Sequence, residues 1–95
     1  MRRAARRDAS EPAIVAVLEA AGALTWPLSD KGLPDRLVLY QGKLWLVEVK
    51  DGTKPPSEQQ LTPDQVKFHT AWAEAPIRIL RSVDDALGFL RQEAG

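Results

Sequence analysis

Cysteine is absent from this 95-residue chain. Its absence excludes a disulfide framework, a thiolate zinc site and a thiol nucleophile, and it is compatible with the reducing cytoplasm, where we expect the protein to act. Long hydrophobic runs are also missing. The most apolar stretch, residues 13–24, contains Glu19 and is well short of the roughly 20 residues that a membrane-spanning helix needs. We therefore expect no contact with a membrane.

A net charge of one sign and a glycine-rich phosphate loop are missing too. Thirteen basic and thirteen acidic residues cancel, so bulk charge does not attract a polyanion. The distribution is nevertheless uneven, because residues 1–7 contain four arginines and no acid. We predict a flexible basic arm over residues 1–9 and a single domain over residues 10–95. The arm is either a solvated, frayed terminus or a contact to nucleic acid.

Three helices are predicted from their start signals. Ser10 precedes Glu11 and Pro12, a typical first turn, and the apolar spacing that follows indicates a helix ending near Gly22. Residues 62–65 form a capping box that opens a second helix to about residue 73. Ser82 caps a third helix. Its predicted inner stripe consists of Val83, Ala86, Leu87 and Leu90.

Four strands are predicted between these helices. Residues 24–28 form an edge strand at best because Pro27 interrupts them. Residues 35–40 and 43–50 flank Gln41-Gly42 and predict a β-hairpin, and residues 76–81 predict a last strand. The order α-β-β-β-α-β-α predicts an α/β fold with a mixed sheet. Both hairpin faces are apolar in the middle, so we expect helices to cover both.

The hairpin register brings three charged residues together. A turn at Gln41-Gly42 sets Asp35 opposite Glu48, with Lys50 on the same face. Two opposed carboxylates repel each other, and a divalent cation is the simplest compensation. With Lys50 available for an anionic substrate or an attacking water, this set is suited to metal-assisted phosphodiester hydrolysis. Two alternatives stay open: ordinary solvent-facing strand residues, or a Lys–Asp–Glu salt-bridge triad without metal.

These residues resemble a known family. The chain is similar to the PD-(D/E)XK nuclease superfamily, and in particular to its VRR-NUC (virus-type replication-repair nuclease) branch, over residues 11–90. Three segments carry the resemblance: Gly32-Leu33-Pro34-Asp35, Glu48-Val49-Lys50 and Leu61-Thr62-Pro63-Asp64-Gln65. The resemblance implies a restriction-endonuclease-like core, DNA as the partner, Mg²⁺ or Mn²⁺ as the cofactor, and a homodimer that cleaves branched DNA such as a Holliday junction or flap.

The resemblance also implies roles for individual residues. Asp35 and Glu48 would be metal ligands, with the Val49 backbone carbonyl as a third. Lys50 would activate the water and stabilise developing charge. Gln65, which also makes sense as a capping residue, would support Lys50 or the substrate. Glu11, which also makes sense as a first-turn acid, would hold a metal-bound water.

The remaining candidates concern nucleic-acid contacts. Eight basic residues are candidates for phosphate binding: Arg2, Arg3, Arg6, Arg7, Lys31, Arg36, Lys54 and Lys67. Trp26, Trp45 and Trp72 could stack on bases, but core filling explains each of them better. His69 has no partner at metal-ligand spacing, which favours a core or surface role.

The leading hypothesis is therefore a metal-dependent DNA endonuclease. A catalytically silent nucleic-acid-binding module with the same fold is the first alternative. An interaction protein that docks onto another enzyme is the second, and it would show no affinity for nucleic acid at low salt.

Overall fold

The computed structural model describes residues 8–94 and has the predicted element order. The predicted arm residues 1–7 lie outside the described residues. The helices are α1 (Glu11–Ala20), α2 (Pro63–Ala71) and α3 (Val83–Ala94), and a short 3-10 turn covers Pro56–Glu58. The strands are β1 (Leu24–Pro27), β2 (Arg36–Tyr40), β3 (Lys43–Val49) and β4 (Ile77–Leu80). The α/β prediction is confirmed.

The sheet is mixed and has the order β1-β2-β3-β4. β1, β2 and β3 pair antiparallel, whereas β4 runs parallel to β3 after the α2 crossover. The β2–β3 turn contains two residues with positive φ, Gln41 at 53° and Gly42 at 76°, which match the preferred two-residue hairpin turn. This turn pairs Tyr40 with Lys43 and sets the register predicted from the sequence.

One sheet face, here called the inner face, is sealed by α1 and α3. Six strand residues of this face are buried, all of them apolar or aromatic: Val38, Tyr40, Trp45, Val47, Val49 and Leu80. Phe89 of α3 lies at the centre of this core, edge-on to the Trp45 ring at a centroid distance of 5.2 Å. Ile14 and Leu18 of α1 are fully buried in the same core. Nearly all the apolar burial of the domain is therefore on this face.

The opposite face, here called the site face, is only partly covered. Its strand residues are Leu24, Trp26, Leu37, Leu39, Leu44, Leu46, Glu48, Ile77 and Ile79. α2 lies over the Glu48 end, while Leu39 and Leu44 remain 40% and 52% exposed at the other. The expectation that helices cover both faces is thus met at one end of this face and not at the other.

The helix termini follow the predicted signals with two corrections. Thr62 and Gln65 form the capping box of α2, and Ser82 Oγ accepts a hydrogen bond from the Asp85 N–H at 3.0 Å. Ser10 precedes α1 but makes no side-chain cap. Leu87, which was predicted to face the core, is 40% exposed. Phe89 is buried in the core instead. None of the helices within residues 8–94 is long and apolar enough to cross a membrane.

Candidate active site

Asp35 and Glu48 meet at one end of the site face. Glu48 is the penultimate residue of β3, and Asp35 directly precedes β2. The Val49 backbone N–H donates to Asp35 Oδ2 at 2.7 Å, which fixes this carboxyl group beside β3. The predicted juxtaposition across the hairpin therefore exists in the structure.

The loop before Asp35 is held close to α2. Gly32 has a φ of 84°, and a Cβ atom at this position would lie 3.0 Å from the Asp64 Cβ and 3.1 Å from the Asp64 carbonyl oxygen. Only glycine adopts this positive φ without strain and also leaves room for Asp64. Lys31 adds an ion pair to Asp64 at 3.3 Å. The resulting contact fixes the start of α2 against the loop that carries Asp35.

The Glu48 carboxyl group is buried and interacts directly with Asp35. Burial, together with a hydrogen bond to Asp35 and the negative charge of Asp35, raises the pKa of Glu48 to about 9. The Glu48 side chain is only 1% exposed, so its ionised form is costly unless a cation is near. At neutral pH the raised pKa favours the protonated form of Glu48, which reduces its repulsion with Asp35.

The Gln65 side chain bridges Glu48, in β3, and Lys50, which directly follows β3. Its Oε1 accepts from Lys50 Nζ at 2.9 Å, and its Nε2 donates to Glu48 Oε2 at 3.0 Å. The same Oε1 accepts from the Thr62 backbone N–H at 2.9 Å. The capping interaction and the site interaction, which were alternatives in the sequence, are therefore made by one side chain at once.

His69 is a site neighbour that the sequence did not suggest. Its Nε2 lies 3.4 Å from Glu48 Oε1, one helical turn beyond Gln65. Burial and the positive charge of Lys50 lower the pKa of His69, which keeps the imidazole neutral. A search for metal-ligand spacing along the chain could not have found this neighbour, because the contact joins a helix to a strand that is distant in the sequence.

Asp8 also lies near the site. Burial raises the pKa of Asp8, with Lys50 opposing and Asp35 adding to this effect. The Asp8 backbone carbonyl accepts from the Glu11 N–H at 3.0 Å. Ser10 Oγ donates to the Lys50 carbonyl at 3.0 Å, which explains why this side chain does not cap α1. The start of α1 is thus attached to the end of β3.

Glu11 and Arg36 form a buried ion pair on the inner face. Arg36 Nη1 donates to Glu11 Oε2 at 2.9 Å, and Arg36 Nη2 donates to Thr25 Oγ1 at 3.3 Å. The Arg36 side chain is only 15% exposed. From the sequence, Glu11 was expected to hold a metal-bound water and Arg36 to contact nucleic acid. In the structure the two side chains bind each other instead.

The other candidate nucleic-acid contacts are spread over the surface. Lys31, Lys54 and Lys67 are exposed, whereas the four arginines of the predicted arm lie outside the described residues. Trp45 is buried in the core as expected. Trp26 and Trp72 are exposed, so the expectation that these two residues fill the core is wrong.

The acids present suit a cation that keeps most of its own water. Within residues 8–94, no group of three or more His, Asp or Glu side chains is arranged as a ready-made metal site. Mg²⁺ is usually held by one or two carboxylates and retains several waters. The Asp35–Glu48 pair fits this donor set, since burial and the negative charge of Asp35 raise the pKa of Glu48 and a cation would offset both effects.

A comparison with known proteins supports this interpretation of the fold. A solved structure of a VRR-NUC domain matches 90% of this chain and 98% of its own length, with a TM-score of 0.64 and 27% sequence identity. The protein is a nuclease-type domain with the VRR-NUC fold. No family model matches the sequence, and no curated protein matches it. The resemblance drawn from the motifs is thereby confirmed by structure rather than by overall sequence similarity.

Proposed function

We propose that this VRR-NUC domain is a Mg²⁺- or Mn²⁺-dependent endonuclease that hydrolyses phosphodiester bonds in DNA. The observation that carries the proposal is the meeting of Asp35 with the buried Glu48 at the end of β3, where Gln65 links Glu48 to Lys50. A divalent cation bound between the two carboxylates would satisfy both acids. The VRR-NUC fold supports the choice of a nucleic-acid phosphodiester as the substrate.

The contacts of the site residues support the role that the VRR-NUC resemblance suggests for each of them. Asp35, Glu48 and the Val49 carbonyl would hold the cation. A bound Mg²⁺ supplies positive charge to the phosphate and lowers the pKa of water. The Lys50 ammonium group would stabilise charge that develops on the phosphate, because Gln65 holds it beside Glu48.

Branched DNA is the proposed substrate class, on the strength of the VRR-NUC resemblance. The exposed lysines 31, 54 and 67 would contact phosphates, together with the four arginines of the arm. Removal of residues 1–7 should weaken DNA binding and reduce its salt dependence, since fewer counterions are released.

A homodimer is part of the proposal. The uncovered part of the site face exposes Leu24 and Trp26, each 68% exposed, beside Leu39 and Leu44. Such a contiguous apolar surface is typical of an interface. A second copy is the proposed occupant because an uncharged patch is complementary to itself around a two-fold axis.

The test is cleavage of labelled junction, flap and duplex DNA with Mg²⁺ or with a chelator. Asp35→Asn should reduce cleavage at least about 1,000-fold, since a loss of about 4 kcal/mol of transition-state stabilisation has that effect. Asp30→Asn is the matched control, because Asp30 is exposed in the same loop.

Three outcomes would contradict parts of this proposal. Cleavage that persists in chelator or in Asp35→Asn would exclude the metal mechanism. Salt-sensitive DNA binding without cleavage under any metal would favour the silent binding module. A lack of DNA affinity at low salt would favour the docking protein.

A further inference from the structure

α2 is unusual among the helices because it points polar side chains at the sheet. None of its residues is buried, and Val66 is 47% exposed. α1 and α3, by contrast, bury apolar side chains in the core. Phe68 is half-buried, but with no residue of α2 fully buried, apolar packing alone does not explain the orientation of this helix.

Two side chains of α2 reach the same carboxyl group. Gln65 Nε2 contacts Glu48 Oε2 at 3.0 Å, and His69 Nε2 contacts Glu48 Oε1 at 3.4 Å. Positions four residues apart lie on one helix face, so the two contacts belong to one surface of α2. Each Glu48 oxygen consequently has its own partner from this helix.

We propose that His69 is a positioning residue that fixes the Glu48 carboxyl group in the orientation needed to bind the divalent cation. This inference rests on the proposed function. Partners of this kind orient the groups that hold a metal, and their loss typically lowers metal affinity or activity about 10–100-fold. The 3.4 Å separation is long for a hydrogen bond, as is common for site contacts before the ligand is bound.

A purely structural role for His69 makes a different prediction. If the imidazole only satisfied a buried oxygen, its removal would lower the stability of the protein in chelator and leave the metal affinity unchanged. Positioning instead predicts a weaker metal affinity, rescued by a side chain that restores the nitrogen near Glu48.

The test is calorimetric titration with Mn²⁺ of the wild type and three variants. His69→Leu removes the contact, His69→Gln retains a nitrogen at similar reach, and Thr70→Ala is the control at an exposed neighbouring position. We expect the Mn²⁺ dissociation constant to rise about 10–100-fold in His69→Leu and to stay within about threefold of wild type in the other two. Cleavage at saturating Mn²⁺ should recover most of the wild-type rate in His69→Leu.

The outcomes separate this inference from the proposed function. Wild-type affinity in His69→Leu, or equal weakening in His69→Leu and His69→Gln, would overturn the role of His69 alone. A wild type that binds no Mn²⁺ would overturn the metal-dependent function and this inference with it. Thermal melting in chelator verifies folding, and His69→Ala takes the place of His69→Leu if that variant does not fold.

Discussion

The two faces of the sheet are stabilised by different kinds of contact. On the inner face, α1 and α3 bury aliphatic and aromatic side chains, with Phe89 at the centre. On the site face, α2 reaches β3 through hydrogen bonds from Gln65 and His69 to Glu48. Val47 and Glu48 are adjacent in β3, both fully buried, and point to opposite faces.

This contrast separates stability from function. The inner face removes apolar surface from water, which is the main favourable contribution to folding. The site face instead encloses Glu48, whose ionisation is unfavourable in the folded protein because of burial and the nearby charge of Asp35. Such strongly perturbed acids are typical of functional sites. Substitutions on the two faces should therefore have opposite consequences.

The largest expected effect is on the rate of DNA cleavage, which should differ between a substitution of Glu48 and one of its neighbour Val47. Glu48→Gln should reduce cleavage at least about 1,000-fold, since it removes a charged cation ligand. Val47→Ala should leave cleavage near the wild-type rate below its melting temperature while it lowers stability. Cleavage rates and thermal melts of both variants test this. Equal losses of cleavage in the two would show that the faces are not functionally distinct.

The next effect concerns the core alone. Phe89→Ala should lower the free energy of unfolding by about 3 kcal/mol or more, through loss of burial and creation of a cavity next to Trp45. Urea denaturation measures this change. Folded Phe89→Ala protein should still bind Mn²⁺ at low temperature. A destabilisation under about 1 kcal/mol would contradict the central place of Phe89 in the core.

A smaller effect is the pH dependence of stability in chelator. The pKa of Glu48 is raised from 4.5 to about 9 on folding, so the folded state retains a proton that the unfolded state loses. Stability should therefore be highest near pH 5 and fall by at least about 1 kcal/mol as the pH rises toward 9. Glu48→Gln should flatten this decline. A stability that rises over the same window in the wild type would contradict the raised pKa.

The smallest expected effect on stability is at the uncovered part of the site face. Leu44→Asp should change monomer stability by no more than about 0.5 kcal/mol, because Leu44 is already 52% exposed. It should nevertheless abolish the proposed homodimer, which sedimentation velocity would detect. Gln60→Asp, which adds the same charge at another exposed position, is the control. An unchanged dimer in Leu44→Asp would place the interface elsewhere.

The elements and the hairpin register were predictable because their signals are local. A capping box, a proline and a two-residue turn each act within a few residues, and the turn then fixes which residues face each other. This is why Asp35 and Glu48 could be placed together before the structure was known.

Contacts between distant elements were not predictable in the same way. The contact between His69 and Glu48 depends on where α2 docks, and the pair Glu11–Arg36 depends on how α1 crosses the sheet. Exposure of Trp26 and Trp72 also escaped prediction. An aromatic residue in an edge strand or at a helix end has the same local pattern whether or not another element covers it.

The most direct test of the central claim is anomalous diffraction from crystals of the protein soaked in Mn²⁺. The account predicts one strong peak within coordination distance of both the Asp35 and the Glu48 carboxylates, which disappears in Asp35→Asn. A peak that survives in Asp35→Asn would contradict the claim that these two acids bind the cation together. So would a wild-type crystal in which Mn²⁺ binds only at other acids.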